Sequence, residues 1–360
     1  MIKKIKKLCL GASVLCFTHL ANAQAQTIPN ISGEVGIELQ NEYTASSDDN
    51  SVDGYNNIFF KAEIEPTVQF NENFSLDGLF VFDGVQDVES NKHNFFDNEG
   101  AFIEGIKLNY QWDNWSVFAG KFDPVFGAVF DVDGIWSDDF AGDYEITERL
   151  GFGGHYSFSE NSFGDYTIHA STFFADTTFL SSSIITKVDK TKKSDGGVSN
   201  TESFDSFAVS LDGDNIAGIE GLNYKVAYQS QAAGDADDDA NRQTGYALTL
   251  GHSLPVSSRI NTDVLAEFVD VNHYEGADVD AQYYTATAST TIDEAWNVTA
   301  SYTHRKVDMT GTDSNDHLFQ LSGEYDFGQG TAAEIGYRYS EESNEDTNII
   351  GGLISHTFEF

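Results

Sequence analysis

Basic residues are scarce in this chain. Its 360 residues carry 19 Lys and Arg against 58 Asp and Glu, a formal net charge of −39 at neutral pH. With no basic footprint to displace the counterions of a phosphate backbone, nucleic acid is excluded as a partner. Long apolar runs are missing too, and the mean hydropathy of −0.33 rules out a bundle of membrane helices. Proline occurs four times only, which suits long unbroken strands. The two cysteines, Cys9 and Cys16, both lie in the first 23 residues, so the remainder can form neither a disulfide framework nor a thiolate metal site. Gly-x-Ser-x-Gly, His-Glu-x-x-His and phosphate-binding Gly loops are all absent, so no enzyme is expected and no cofactor is called for.

What the chain does have is aromatic residues, at 13% with 28 Phe and 16 Tyr, and 32 Gly. That is far too much ring surface for a disordered acidic chain. Residues 1–23 have the form of a cleaved export signal. Lys3, Lys4, Lys6 and Lys7 precede the apolar stretch from Leu8 to Leu20, and Ala21-Asn22-Ala23 is an Ala-x-Ala cleavage site. The apolar stretch is too short to span a bilayer, and Leu15 is too large for the residue preceding a lipidated Cys16. The expected organisation is therefore a signal peptide over 1–23 and one β-domain over 24–360.

Alternation with period two runs through that domain. Ile31, Gly33, Val35, Ile37 and Leu39 share one face against Ser32, Glu34, Gly36, Glu38 and Gln40. Trp296, Val298, Ala300 and Tyr302 likewise oppose Asn297, Thr299, Ser301 and Thr303. Such runs occur at about 31–43, 56–70, 74–85, 99–112, 115–123, 147–158, 165–175, 203–212, 222–231, 243–253, 259–270, 280–291, 296–307, 316–327, 331–341 and 347–360. Short turns such as Asp113-Asn114, Asp293–Ala295 and Gln329-Gly330 alternate with longer acidic or Ser/Gly-rich loops at 44–55, 86–98, 124–146, 176–202 and 232–242. An even number of strands, with long loops at one end and short turns at the other, predicts a transmembrane antiparallel β-barrel of about 16 strands. A secreted β-sandwich would need no aromatic banding, yet Trp112, Trp115, Trp296, Tyr110, Phe70, Phe74, Phe158 and Phe327 all abut short turns. They predict a girdle at one membrane interface.

The last strand ends in Phe358 and Phe360, with Ile354, Gly352 and Ile350 on the same face. This resembles the C-terminal assembly signal of outer-membrane barrels, from which His356 departs. The segment Ala119-Gly120-Lys121-Phe122-Asp123-Pro124-Val125-Phe126-Gly127 resembles the passage leading out of the fifth strand of many porins. In architecture the whole domain is similar to the general porins of Gram-negative bacteria. The resemblance implies an outer-membrane location, barrel assembly machinery, lipid and lipopolysaccharide as surroundings, and a homotrimer. It also implies that the loop after strand 5, here 124–146, folds into the lumen as a constriction. That loop carries Asp131, Asp133, Asp138, Asp139, Asp143 and Glu145.

If apolar positions face lipid, the opposite positions line the pore. Lys61, Lys107, Arg149, Lys225, Arg259, Arg305 and Arg338 fall on that face, as do Glu34, Glu38, Glu63, Glu65, Asp77, Glu267, Glu324, Glu334 and Glu359. Basic strands opposite an acidic loop would set up a transverse field, and the excess of carboxylates predicts cation preference. The expected function is passive diffusion of small hydrophilic solutes and ions. The alternatives are a channel specific for a siderophore, sugar or amino acid, or a non-conducting structural or adhesive barrel.

Three further features carry less. Asp235, Asp237 and Asp239 have a spacing that could hold a cation but lack the Gly and Glu of a calcium loop. Lys187, Lys190, Lys192 and Lys193 form a basic run that an exposed loop explains. His155-x-Ser157 is similar to the His/Ser pair of an outer-membrane phospholipase, but its register points both residues inward.

Overall fold

The computed structural model describes residues 28–134, 139–160, 163–234, 241–309 and 312–360. The signal segment 1–23, Asp138, and the trio Asp235, Asp237 and Asp239 lie outside them. Sixteen long strands make up the fold: β1 (Asn30–Ser47), β2 (Asn56–Gln69), β3 (Phe74–Gly84), β4 (Glu99–Trp112), β5 (Trp115–Phe122), β6 (Arg149–Glu160), β7 (Gly164–Ala175) and β8 (Ser206–Asp214). The second half adds β9 (Leu222–Gln231), β10 (Gln243–Ser257), β11 (Ile260–Asn272), β12 (Val279–Ile292), β13 (Trp296–Met309), β14 (Thr312–Gly328), β15 (Thr331–Glu342) and β16 (Glu345–Glu359). Each pairs antiparallel with the next, and β16 returns to β1, with Glu34 opposite Glu359 and Ser47 opposite Thr347. The sheet is a closed barrel, so no edge is left with unpaired amides. At the seam Gly33 and Phe360 exchange two backbone hydrogen bonds of 3.0 Å. A side chain on Gly33 would sit 2.4 Å from the Glu65 carbonyl oxygen and 2.9 Å from the Phe360 ring, so only glycine fits the closure.

The period-two pattern sorts residues as a barrel requires. Leu250, Ile335 and Ile354 are exposed on the outer face, whereas Gln229, Thr299 and Ser340 are buried on the inner one. Rings cluster at the short-turn end: Trp112 with Trp115 at 5.6 Å, Phe70 with Phe74 at 5.4 Å, Phe158 with Tyr166 at 5.3 Å and Trp296 with Tyr325 at 4.6 Å. A second band forms at the opposite end of the outer face, where Phe268, Tyr284, His304 and His317 follow one another across β11 to β14.

Where the alternation blurs, at Ile103 and Glu104, the chain has a bulge. Leu79 pairs with Gly105 and Phe80 with Ile103, leaving Glu104 as an inserted residue that resets the register. Strands in the second half run further than the alternation alone predicts. β10 continues to Ser257 because the ladder shifts register past Pro255, which has no N–H to give. β15 and β16 are likewise extended, which leaves 343–344 as a two-residue turn at the long-loop end.

Candidate functional site: the inner wall and the segment 123–148

Most of the predicted inward cations lie on the inner face, each with its own partner. Lys61 on β2 is buried, 3.1 Å from Glu63 and 3.7 Å from Asp83. Lys107 on β4 lies opposite Asp77 with its ammonium 5.7 Å from the centre of the Phe118 ring. Arg149, the first residue of β6, donates to the Thr147 carbonyl at 2.8 Å. Lys225 on β9 is 4.0 Å from Asp212. Arg338 on β15 is buried across from Gln320. Arg259 is the exception. The pairing of Ile260 with Ile292 leaves it in the turn between β10 and β11, exposed and ion-paired with Asp293 in the next turn, so it does not line the wall.

The segment between β5 and β6 begins Asp123-Pro124-Val125-Phe126-Gly127 and is closed at its neck by a hydrogen bond from Glu148 N to Asp123 Oδ1. Gly127 has a φ of +81°, and a side chain there would approach the Tyr144 ring to 2.9 Å. Around and beyond it the segment buries Phe126, Val129, Phe140, Ala141, Tyr144 and Ile146. These pack against Ala208, Ala227, Ala247, Val269, Val271, Ala281 and Tyr283, small or apolar residues at inward positions of β8 to β12. Ala227, Ala247, Val269 and Tyr283 are successive register partners, so they form one transverse apolar row on a wall that is otherwise polar.

Polar anchors surround this contact. Glu267, buried on β11, accepts from Ala128 N at 2.7 Å, Tyr144 OH at 2.7 Å and Thr249 Oγ1 at 2.6 Å. Lys225 donates to the Gly127 carbonyl at 3.2 Å, and Thr299 Oγ1 donates to the Asp133 carbonyl at 2.7 Å. Arg305 on β13 is the most heavily engaged. It reaches Asp143 at 2.8 Å, Asp316 at 2.7 Å and Glu342 at 3.1 Å, while its guanidinium lies 4.0 Å from the centre of the Phe140 ring. Tyr283 OH also donates to Asp143, at 3.2 Å. Charge-assisted, forked pairing of this kind fixes geometry as well as attraction.

The acidic residues of the segment thus divide. Asp143 is committed to Arg305 and Tyr283. Glu145 is buried. Asp139 opens a one-turn helix, Asp139–Gly142. Partial burial, and then repulsion from Asp263 and Asp131, raises the Asp133 carboxyl above the usual aspartate range. The anchoring residues Glu267, Tyr144, Tyr283, Thr299 and Asp316 carry no motif. The sequence signal that could have found their neighbourhood is the run of Ala and Val at inward positions on consecutive strands.

On the outer face, Lys121 of the quoted segment is fully buried. Its ammonium meets Glu148 at 2.8 Å, Asp176 at 3.2 Å and the carbonyls of Ile103 and Leu180 at 2.7 and 3.0 Å. The loop after β7 crosses back to provide this cover, and Ile184–Ile185 adds a short pairing to Gly100 and Ala101.

A closed barrel with an apolar, ring-banded outside and a polar inside defines a channel protein of the bacterial outer membrane. A family model described as Gram-negative porin matches residues 11–345, and the chain belongs to that family. Among solved structures it is similar to OmpF of Salmonella typhi in complex with daunomycin, at 13% identity over 92% of this chain and 98% of that one, TM-score 0.60. It is also similar to the outer membrane channel DcaP of Acinetobacter baumannii, at 11% identity, 91% and 96% coverage, TM-score 0.58. A third relative in fold is an anion-selective porin from Comamonas acidovorans, at 13% identity, 91% and 99% coverage, TM-score 0.52. No curated protein matches the chain.

Proposed function

We propose that this porin is a passive, water-filled and cation-preferring diffusion channel whose constriction is the segment 123–148. The observation that carries the proposal is the set of bonds from that segment to inward side chains of β9 to β13: Lys225, Glu267, Tyr283, Thr299 and Arg305. A segment held to the wall at that many points narrows the lumen at fixed height. Cation preference follows from the charge inventory. The inward cations Lys61, Lys225 and Arg305 are matched by carboxylates, while the chain as a whole carries a net −39. The Comamonas relative is anion-selective, so the shared fold leaves the sign to local charge.

The remaining readings belong to the same proposal. Residues 1–23 direct export and are cleaved after Ala23. Phe358 and Phe360 present the strand recognised by barrel assembly machinery. The outer face meets lipid and lipopolysaccharide, and the assembly is a homotrimer.

The test is planar-bilayer conductance of the refolded barrel under a KCl gradient. The expected result is stepwise current with a reversal potential of the cation-selective sign. Changing Asp131, Asp133, Asp138 and Asp139 to Asn should move that potential toward zero. A folded barrel that gives no current would overturn the channel reading.

A further inference from the structure

We propose that His155 and His169 form a binding site on the inner wall for a divalent first-row transition-metal ion. The two residues are direct cross-strand partners on β6 and β7, and both are half-buried. Their ring centroids are 5.5 Å apart with planes inclined at 50°. Cross-strand partners have Cβ atoms about 4.5–5.5 Å apart, a separation that two metal–imidazole bonds of about 2.0–2.1 Å can bridge.

Each ring is also oriented from behind. Ser116 Oγ lies 2.8 Å from His155 Nδ1, nearer than the 3.4 Å to its Nε2, and Asp212 Oδ2 lies 3.4 Å from His169 Nε2. Metal-bound imidazoles are held in this way, through the ring nitrogen that does not carry the metal. The arrangement assigns His155 Nε2 and His169 Nδ1 as ligands, with Ser116 and Asp212 as positioning residues. Ser157, two residues along β6, is not part of the site, since its hydroxyl pairs with Thr167 at 2.9 Å. Lys107, the neighbouring cation on β4, is drawn over the Phe118 ring.

Among the described residues no group of three or more His, Cys, Asp or Glu is arranged to hold a metal. The site therefore has two protein ligands, and water completes the shell. Imidazole selects zinc, copper and nickel over calcium or magnesium. A second histidine pair provides an internal contrast. His304 and His317 on the outer face stack at 4.9 Å with planes only 14° apart, so their nitrogens run parallel and do not converge on one point.

The experiment is calorimetric titration of ZnCl2 into the refolded, EDTA-treated barrel, with folding verified by heat-modifiable electrophoresis. One saturable site per chain is expected. His155→Gln and His169→Gln should each weaken it at least tenfold, and His304→Gln should leave it unchanged. Asp212→Asn should weaken it by about tenfold, the usual cost of losing an orienting partner. With Cu2+ in place of zinc, the paramagnetic resonance spectrum should show coupling to two imidazole nitrogens, reduced to one in either inner variant. Zinc uptake that is absent from the unaltered barrel, or equal in His155→Gln and the unaltered barrel, overturns the proposal. The site needs the inner wall but not conduction, so it and the channel reading fail independently.

Discussion

At the scale of single residues, the segment 123–148 depends most on Arg305. One guanidinium satisfies Asp143 on the segment and Asp316 and Glu342 on the wall, with Phe140 stacked beneath it. Removing it leaves Asp316, which is almost fully buried, with the neutral donors Ser314 Oγ and Ser343 N in place of a guanidinium, and breaking a buried pair from one side costs about 3–5 kcal/mol. Arg305→Ala should therefore lower the urea midpoint of the refolded barrel and raise open-channel current noise. Arg305→Lys should recover the charge but not the fork, leaving the noise elevated. Asp133 supplies a second prediction. Its raised carboxyl protonates at a higher pH than a free aspartate. Asp133→Asn should therefore remove part of the fall in cation preference that lies above the pH at which an ordinary aspartate titrates, read as a smaller change in reversal potential over that range. The sign for stability is opposite to that of a salt-bridged aspartate. The folded state binds this proton more tightly than the unfolded state, so the contribution is present in acid and fades as pH rises through the raised value.

At the scale of elements, the placement of the segment can be tested with a covalent bridge. The Cβ of a residue at position 134 would lie 3.2 Å from Thr299 Cβ, close enough for a disulfide with small adjustment. Gly134→Cys with Thr299→Cys should cross-link under mild oxidation, read as a mobility change on non-reducing gels. Residues 24–360 contain no other cysteine to confuse the result. Gly134 has a φ of +72°, so cysteine there is strained, and a cross-link formed against that cost places the segment beside Thr299. The strands themselves were almost wholly legible in the sequence, because a wall between water and lipid forces period two on every crossing. Legibility failed where that forcing relaxes. At Glu104 an inserted residue resets the faces. Arg259 extends an alternation back past the point where its strand begins, at Ile260. Lys121 has the parity of a lipid-facing residue, and nothing in its own strand reveals that a loop some sixty positions later covers it. The anchors of 123–148 were hidden for a related reason, since Glu267 reads as one more inward carboxylate until its three donors are seen together.

At the scale of the whole molecule, closure is the dominant fact, and it rests on the β1–β16 ladder. Phe360 sits at the end of that ladder with its ring against Gly33. Phe360→Ala should slow assembly in cells while leaving the spectrum of the refolded barrel unchanged, checked by the ratio of heat-modifiable to unfolded protein in membrane fractions. Gly33→Val should harm both, because its side chain would meet the Glu65 carbonyl in any setting.

The two backbone bonds between Gly33 and Phe360 also mean that the ring has no topological beginning. Linking those ends and opening the chain at the 343–344 turn would give a circular permutant with each ladder intact but one, the β15–β16 hairpin becoming a pairing of the two new termini. Such a chain would finish on a different strand, with Phe360 in its interior. It would separate two properties that this chain order ties together: which ladder shuts the cylinder, and which strand comes last.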